Sequence, residues 1–330
     1  MLSTVSIGRT CSDLQFISVD RRDGREVTIR ASVTIRIVVL NWNGRAWLDV
    51  CLSALTAQRR PATEPAAEIV VVDNASTDGS VAWLREHHPA VQVVALSENM
   101  GFAAGNNRGA EGAQTDALVF LNNDTRAEPG WLDALVRAAE ADPARGLVTS
   151  RVVYLESPDV VDSAGDGYLR CGGGFKYGHG QPVSEWSEAR EVFGACGAAF
   201  LIRRDLFEAL EGFDESFFMV YEDVDLSYRA RLHGARVWYA AEAVVHHAGS
   251  ASMGRVSDLA VYCGQRNLEW TWLKNTPTSL LWRSLPSHLA YNVAGALGYL
   301  RQGRIRPWLR GKWAALLGAR RIWKQRAMHR

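Results

Sequence analysis

Short β-branched runs alternate with amphipathic stretches through the first half of the chain. I-R-I-V-V-L (35–40) runs into N-W-N-G, the pattern of a buried parallel strand leaving a sheet into a loop. A helix is expected over about 45–58, ended by Pro61 and Pro65. E-I-V-V-V-D (68–73) repeats the strand pattern, and N-A-S-T-D-G-S opens a second helix through V-A-W-L-R-E, with Ser76 or Thr77 as its cap. V-Q-V-V-A-L (91–96), the glycine-rich E-N-M-G-F-A-A-G-N-N-R-G (98–109) and A-L-V-F-L (117–121) continue the series. The alternation predicts an α/β fold with a mostly parallel sheet flanked by helices. In such sheets ligands gather beyond the carboxyl ends of the strands, where Asn41, Asp73 and Asp124 stand.

The alternation breaks near residue 147. G-L-V-T-S-R-V-V-Y, the glycine-dense C-G-G-G-F-K-Y-G-H-G (171–180) and G-A-C-G-A-A-F-L-I-R (194–203) predict loops and mixed strands that supply a second substrate's site. Three parts follow: an arm over 1–34, whose R-R-D-G-R (21–25) is a hairpin turn or loose segment; an α/β domain over 35–265, divided at 146/147; and a helical extension over 266–330.

Charge sharpens that division. The 330 residues carry 37 Lys+Arg and 36 Asp+Glu, yet 266–330 holds 13 basic residues and one acidic, Glu269. The extension is net +12 and the rest net −11, which points to an anionic partner. Six of the twelve tryptophans (270, 272, 282, 308, 313 and 323) lie in the same stretch. Cysteines 11, 51, 171, 196 and 263 form no C-x-x-C, so neither a zinc cluster nor a disulfide framework is indicated and a reducing compartment fits. The N-terminus shows no apolar core of signal-peptide length, and no run reaches the roughly 18–20 apolar residues of a bilayer span. A soluble or peripheral protein is expected.

F-F-M-V-Y-E-D-V-D-L-S-Y-R (217–229) sets Glu222 and Asp223 between an aromatic run and a helical pattern. Aromatic walls and a helix start hold a carboxylate in a partly dry site. With Asp73 and Asp124 it makes three carboxylates at element ends, the pattern of one assembled site.

Taken in order, D-N-A-S-T-D-G-S, E-N-M-G-F-A-A-G-N-N-R-G, L-N-N-D, the E-D pair and A-E-A-V-V-H-H-A-G-S-A-S resemble the successive motifs of family-2 glycosyltransferases, GT-A-fold enzymes that use nucleotide-diphosphate sugars. The resemblance covers about 35–252, some two thirds of the chain. It implies that Asp73 accepts from the pyrimidine N3 imide, and that Asn41, Asn43, Asn99, Gly101, Asn106, Asn107 and Asn123 line the nucleotide-sugar site. Asp124 would hold Mg²⁺ or Mn²⁺ on the donor diphosphate, with His246 or His247 completing the shell and His246 preferred. Asp223 would be the general base of inverting transfer, supported by Glu222. Asn122 stands where the full metal motif has Asp, which leaves metal binding mainly to Asp124.

Each motif has a plainer reading. D-N-x-S is a capping turn, glycines every four residues let a helix pack closely on a sheet, N-N-D is a turn, and Asp78 and Asp225 are helix-start charges. The joint order of the motifs outweighs these. V-V-L-N-W-N-G and R-N-L-E-W-T-W-L-K-N-T-P look most like bacterial rhamnosyltransferases, which implies dTDP-L-rhamnose as donor and a polyprenyl-linked or polysaccharide acceptor in cell-wall or surface-glycan synthesis.

For the tail, Trp with Lys and Arg on amphipathic helices fits an anionic membrane surface and places the protein at the cytoplasmic face. The alternative is a helical pair packed on the domain with a solvated basic face. No nucleic-acid motif accompanies the charge. Two other readings stand beside these: a non-catalytic, membrane-associated scaffold, favoured by Asn122, and a nicotinamide- or flavin-dependent enzyme, disfavoured because G-x-G-x-x-G is absent.

Overall fold

The computed structural model describes residues 33–58, 65–249 and 257–326. R-R-D-G-R, Cys11, Pro61 and Ser252 lie outside the described residues. The first half alternates strand and helix: β1 (Ile35–Asn41), α1 (Arg45–Thr56), β2 (Glu68–Asp73), α2 (Ser80–His87), β3 (Gln92–Ala95), α3 (Gly101–Ala110) and β4 (Ala117–Asn122). Next come β5 (Thr125–Ala127), α4 (Trp131–Glu140), β6 (Arg145–Tyr154), β7 (Val161–Ser163), β8 (Asp166–Tyr168), β9 (Gly174–Lys176), β10 (Arg190–Val192) and β11 (Ala199–Arg203). The remainder is α5 (Arg204–Ala209), α6 (Glu222–Leu232), β12 (Arg236–His247), α7 (Asp258–Asn275), α8 (Thr278–Arg301) and α9 (Ile305–Arg326).

One sheet organises these elements in the order β10-β12-β6-β11-β4-β1-β2-β3. β3, β2, β1 and β4 are parallel neighbours, and β11 lies antiparallel between β4 and β6. The parallel half reads as continuous apolar runs because helices cover both of its faces. Ile37, Val39, Val71 and Val119 face a core built with α1 and α4, whereas Val38, Val70, Val72 and Phe120 face one built with α3 and Phe213.

The glycine repeat has its packing explanation in α3. A Cβ on Gly105 would stand 2.5 Å from Leu40 Cδ1, and one on Gly109 would stand 2.2 Å from Val38 Cγ1. Only glycine lets α3 sit this close to β1.

The cap of α2 differs from the sequence expectation of Ser76 or Thr77. α2 starts at Ser80 after left-handed Gly79, and the Asp78 carboxylate accepts from the Ser80 N–H at 3.1 Å. Ser76 Oγ instead accepts from the Asn43 N–H at 2.8 Å, and the Thr77 N–H donates to Asn43 Oδ1 at 2.8 Å. Both residues brace the loop after β1, and the cap position falls to Gly79 without a side-chain cap, while Asp78 just before it holds the Ser80 N–H and hydroxyl.

The basic extension is helical, and α7 runs through position 265/266. No described helix is long and apolar enough to cross a membrane.

Candidate active site

β1 and β2 end side by side, with Asn41 opposite Asp73 in parallel register. Asn41 Nδ2 donates to Asp73 Oδ2 at 2.8 Å, and the Ser76 N–H donates to Asp73 Oδ1 at 2.9 Å. Both oxygens of a buried carboxylate are thereby held in place. Asn123 Nδ2 donates to Asn41 Oδ1 at 2.7 Å, which ties the turn after β4 to the same cluster. Gly44 makes that approach possible, since a Cβ there would lie 1.8 Å from Asn123 Nδ2.

Asn43 is left-handed (φ 51°) and braces Thr77. Asn99 Oδ1 accepts from the Gly101 N–H at 2.9 Å and from Asn74 Nδ2 at 3.0 Å. Asn74 was not singled out from sequence, although it follows Asp73 directly and also holds the Met100 N–H at 2.8 Å. Two other asparagines of α3 turn to the chain's own backbone. Asn106 Nδ2 donates to the Phe102 carbonyl, and Asn107 clasps Phe213 through donation to its carbonyl and acceptance from its N–H.

Beyond β4, Asp124 lies against the end of β12. Its Oδ1 is 3.3 Å from His247 Nε2, and His247 Nδ1 is 2.9 Å from Asp162 Oδ2. Lys176 Nζ binds the other oxygen of Asp162 at 2.8 Å. Burial works against a charged His247, but its hydrogen bonds to Asp124 and Asp162 outweigh it and raise the imidazole to about 9. Burial also opposes charge on Asp162, and there the bonds from His247 and Lys176 win, so its carboxyl is lowered. His246 points elsewhere: its Nε2 is 2.8 Å from Glu128 Oε1. Strand alternation separates the two histidines.

Among the described residues no group of three His, Cys, Asp or Glu side chains is arranged around a common metal position. Asp124 and His247 nonetheless form a donor pair that suits a divalent ion. Mg²⁺ and Mn²⁺ are commonly held by one or two protein ligands plus substrate phosphates and water, and the second ring nitrogen of His247 is oriented by a carboxylate as in carboxylate-histidine-metal arrangements.

The third carboxylate stands at the start of α6, after an unusual loop. Phe218, Val220 and Tyr221 all have positive φ (64°, 68° and 75°), a conformation that costs non-glycine residues energy. Three clamps hold it. Asn267 Nδ2 on α7 reaches the carbonyls of Phe217 (2.9 Å), Met219 (2.9 Å) and Val220 (2.6 Å). Arg266 donates to the carbonyls of Ser216 and Phe217. The N–H groups of Phe102 and Ala103 at the start of α3 donate to the Phe218 carbonyl.

So held, the loop presents Asp223 to the sheet. Asp223 Oδ2 accepts from the Gly197 N–H and Oδ1 from the Val224 N–H, both at 2.8 Å, and the side chain is partly exposed. The Asp166 carboxyl on β8 is coupled to it. Burial, and then the Asp223 charge, push the Asp166 carboxyl well above the carboxylate range. Burial also raises Asp223, against the hydrogen bonds from Gly197, Val224 and Asp166 that favour its ionised form. Glu222 is buried with its Oε2 unpaired, and burial followed by the Asp223 charge raises it well above the usual range.

Asp225 plays a different part from the helix-start charge expected of it. It is fully buried, bound to Arg229 at 2.8 Å, Lys274 at 3.1 Å and Asn275 at 2.8 Å, and lowered to about 2, where these cations outweigh burial. It fastens α6 to α7.

A continuous set of contacts links the three carboxylates. Asp73 reaches Asn123 through Asn41; the Asn122 N–H donates to the Ala198 carbonyl at 2.9 Å; and Gly197, one residue earlier, holds Asp223. Asp162, Asp166, Lys176, Arg266 and Asn267 escaped the sequence reading. Asp166 carried one visible signal, an acid between two glycines in A-G-D-G, and Asn267 lies in the R-N-L-E-W stretch already noted for resemblance.

Residues 36–211 match the Glycosyl transferase family 2 pattern, just over half of the chain. The O-antigen biosynthesis protein RfbC of Myxococcus xanthus is 30% identical over 238 residues, 68% of this chain but only 18% of that protein. The N-acetylglucosaminyl-diphospho-decaprenol L-rhamnosyltransferase of Mycobacterium tuberculosis is 30% identical over 244 residues, 66% of this chain and 77% of that protein. Among solved structures, the mannosyltransferase PcManGT of Pyrobaculum calidifontis, in complex with GDP-Man and Mn²⁺, superposes with a TM-score of 0.54 at 19% identity, covering 91% of this chain and 85% of that one. The fold is that of the GT-A glycosyltransferases.

Proposed function

Because this chain belongs to glycosyl transferase family 2, we propose that it moves a sugar, with inversion, from a nucleotide diphosphate to an acceptor hydroxyl in surface-glycan synthesis, with Asp223 as general base. The observation that carries this is the linked set of Asp73, Asp124 and Asp223 at the carboxyl edge of the sheet. In this reading Asp73 accepts the imide N–H of the pyrimidine, pre-aimed by Asn41 and the Ser76 N–H. Asp124 and His247 hold a divalent ion. That ion, when bound, neutralises charge on the departing diphosphate.

Asp223 takes the proton of the attacking hydroxyl. Its raised pKa makes it a better proton acceptor than an ordinary aspartate, and the Gly197 and Val224 N–H groups keep it oriented. Asp166, protonated, donates to Asp223 and leaves its outer lone pairs to the acceptor. Glu222, buried behind it, stays neutral.

The donor we favour is dTDP-L-rhamnose and the acceptor a polyprenyl-diphosphate-linked or polysaccharide hydroxyl. The name of the mycobacterial relative supports L-rhamnose as the sugar and a polyprenyl-diphosphate-linked acceptor, and the sequence stretches that resemble rhamnosyltransferases support the dTDP donor. Functionally, 35–146 would hold the donor, 147–265 the acceptor and catalytic groups, and 266–330 the membrane. Support for that last part comes from exposed apolar side chains at helical spacing: Trp282, Leu289, Val293, Leu297 and Leu300 along α8, and Leu309, Trp313, Leu316 and Leu317 along α9. Arg283, Arg301, Arg310, Arg320 and Arg321 flank them, which suits the anionic inner face of the cell membrane.

A panel of dTDP-, UDP- and GDP-sugars with Mg²⁺ or Mn²⁺, read by thermal shift and by transfer, tests the reading. Stabilisation by dTDP-rhamnose with transfer lost in Asp223→Asn is the expected result, and undiminished turnover in that variant would remove Asp223 as base. Asn122 in the metal motif favours one other reading, a membrane-associated scaffold without turnover. Such a protein would show no metal-dependent sugar-nucleotide binding by calorimetry.

A further inference from the structure

The three C-terminal helices enclose a cleft of about 390 Å³ that no step of sugar transfer described above uses. This lies within the roughly 300–1,000 Å³ typical of small-molecule sites. Its walls are mainly apolar, with Trp270 and Trp272 from α7, Leu285 and Leu289 from α8, and Trp308 and Leu316 from α9. One end is polar. There Glu269 binds His288 at 2.8 Å and Lys312 at 2.6 Å, and the His288 ring stacks on Trp272 with centroids 3.8 Å apart.

We infer that this cleft receives the isoprenoid chain of a lipid-diphosphate acceptor; the inference rests on the lipid-linked acceptor reading above. Four observations carry it. Leu289 and Leu316 belong both to the walls and to the exposed apolar stripes, so the cleft is continuous with the surface assigned to the membrane. Among the described lining residues the charged side chains at its polar end, Glu269 and Lys312, are paired with each other, so an apolar chain meets no bare charge from them. The Trp308 indole N–H is buried without an acceptor, a donor available to an oxygen at the head of such a ligand. The net +12 of the surrounding segment complements a diphosphate.

What favours a reacting lipid over a bulk membrane lipid is the position of α7. Trp270 lines the cleft and packs on Phe217 with ring centroids 6.0 Å apart, and Phe217 opens the strained loop that carries Glu222 and Asp223. From the other side, His288 Nδ1 bonds the Cys171 carbonyl at 2.8 Å, at the head of the glycine loop leading to β9 and Lys176. The cleft and the catalytic carboxylates therefore share their supports. A chain in the cleft would stand on the same helix that holds the base, a placement suited to a substrate.

Geranylgeranyl diphosphate is a suitable probe, read by quenching of the cleft tryptophans, beside inorganic pyrophosphate and phosphatidylglycerol vesicles. Saturable quenching is expected, with affinity reduced at least tenfold by Ala319→Phe, which fills the cleft, and by Leu285→Gln, which makes its wall polar. Unchanged affinity for nucleotide diphosphate reports that each variant is folded. The inference is overturned by wild-type affinity in both variants, by full displacement with pyrophosphate, or by full displacement with the vesicles. A transfer assay separates it from the reading beneath it. Equal transfer to a glycan acceptor with no lipid would sink the lipid-linked reading itself. If transfer requires the lipid and both variants keep the wild-type KM for it, the reading stands and the cleft is not the chain's site.

Discussion

The carboxyl groups of Asp166 and Asp223 are coupled: the Asp223 charge pushes the Asp166 carboxyl further up, while Asp166 favours the ionised form of Asp223. Burial assigns the proton to Asp166, the more strongly raised of the two. The pair thus titrates as a dyad in which one member stays neutral beside an ionised partner, the state that the proposed role of Asp223 as base requires.

The dyad predicts two different pH profiles. Asp166→Ala removes a donor that favours ionised Asp223, so the acidic limb of kcat/KM should move to higher pH. Asp166→Asn still donates and should leave that limb in place. Profiles of the two variants that coincide would show that Asp166 does not act through Asp223.

Glu222 makes a stability prediction. Its folded pKa is raised, so the folded protein holds a proton that the unfolded chain has released once the pH passes the ordinary glutamate value. Stability from this group is therefore lost as pH rises from about 4.3 towards the folded pKa. Glu222→Gln removes that loss. The gap in thermal midpoint between variant and wild type should widen in the variant's favour from pH 5 to pH 8, and a constant gap would refute the assignment.

His247 has the opposite sign. Its pKa is raised to about 9, so the stabilisation it gives is complete below the ordinary histidine value and disappears as pH rises through 9. A divalent ion bound at Nε2 competes with that proton, and Mn²⁺ affinity should rise with pH over the same window. By calorimetry with nucleoside diphosphate present, His247→Ala should abolish most Mn²⁺ binding and Asp162→Asn should weaken it about 10- to 100-fold. His246→Ala should leave it near wild type.

Asn267 holds three carbonyls of a loop with three positive-φ residues. Asn267→Ala leaves those acceptors unpaired, with an expected cost of about 1–3 kcal/mol. Because the loop aims Asp223, kcat should fall while nucleotide affinity is retained. Asn267→Asp should be no better, since a carboxylate offers the carbonyls no donor. Urea denaturation and steady-state kinetics check both points.

Two glycine substitutions should differ in sign. Gly109→Ala forces a methyl to within 2.2 Å of Val38 and 2.9 Å of Val72, with an expected cost of about 1–3 kcal/mol. A Cβ on Gly298 in α8 meets nothing within 4 Å, so Gly298→Ala should be neutral or stabilising by about 0.5–1 kcal/mol. Urea midpoints of the two variants decide it.

The parallel half of the sheet was legible because β1, β2 and β4 carry continuous buried apolar runs and end at polar turns. That pattern marks Asp73 and Asp124 at strand ends, and the aromatic run before α6 marks Asp223. Ser76 and Thr77 misled because a hydroxyl near a helix start looks like a cap, whereas these two are taken by Asn43 across the crevice. Asp162 and Asp166 were hidden for another reason. They lie on or beside strands only three residues long, too short for periodicity, and gain meaning only from β8 pairing with β9 and from β7 pairing with β6. Lys176 and Asn267 depend on contacts across 14 and about 50 residues, respectively, which no local pattern reports.

The course of α7 decides what can be cut from or grafted onto this protein. A truncation after residue 265, where the charge changes sign, would divide the helix and remove Arg266, Asn267 and Lys274, the residues that hold the Asp223 loop and Asp225. The smallest working catalytic unit therefore extends at least to Asn275. An exchange of C-terminal helices with a relative should be joined beyond that point, at Thr276 and Pro277, where α7 has ended and α8 begins.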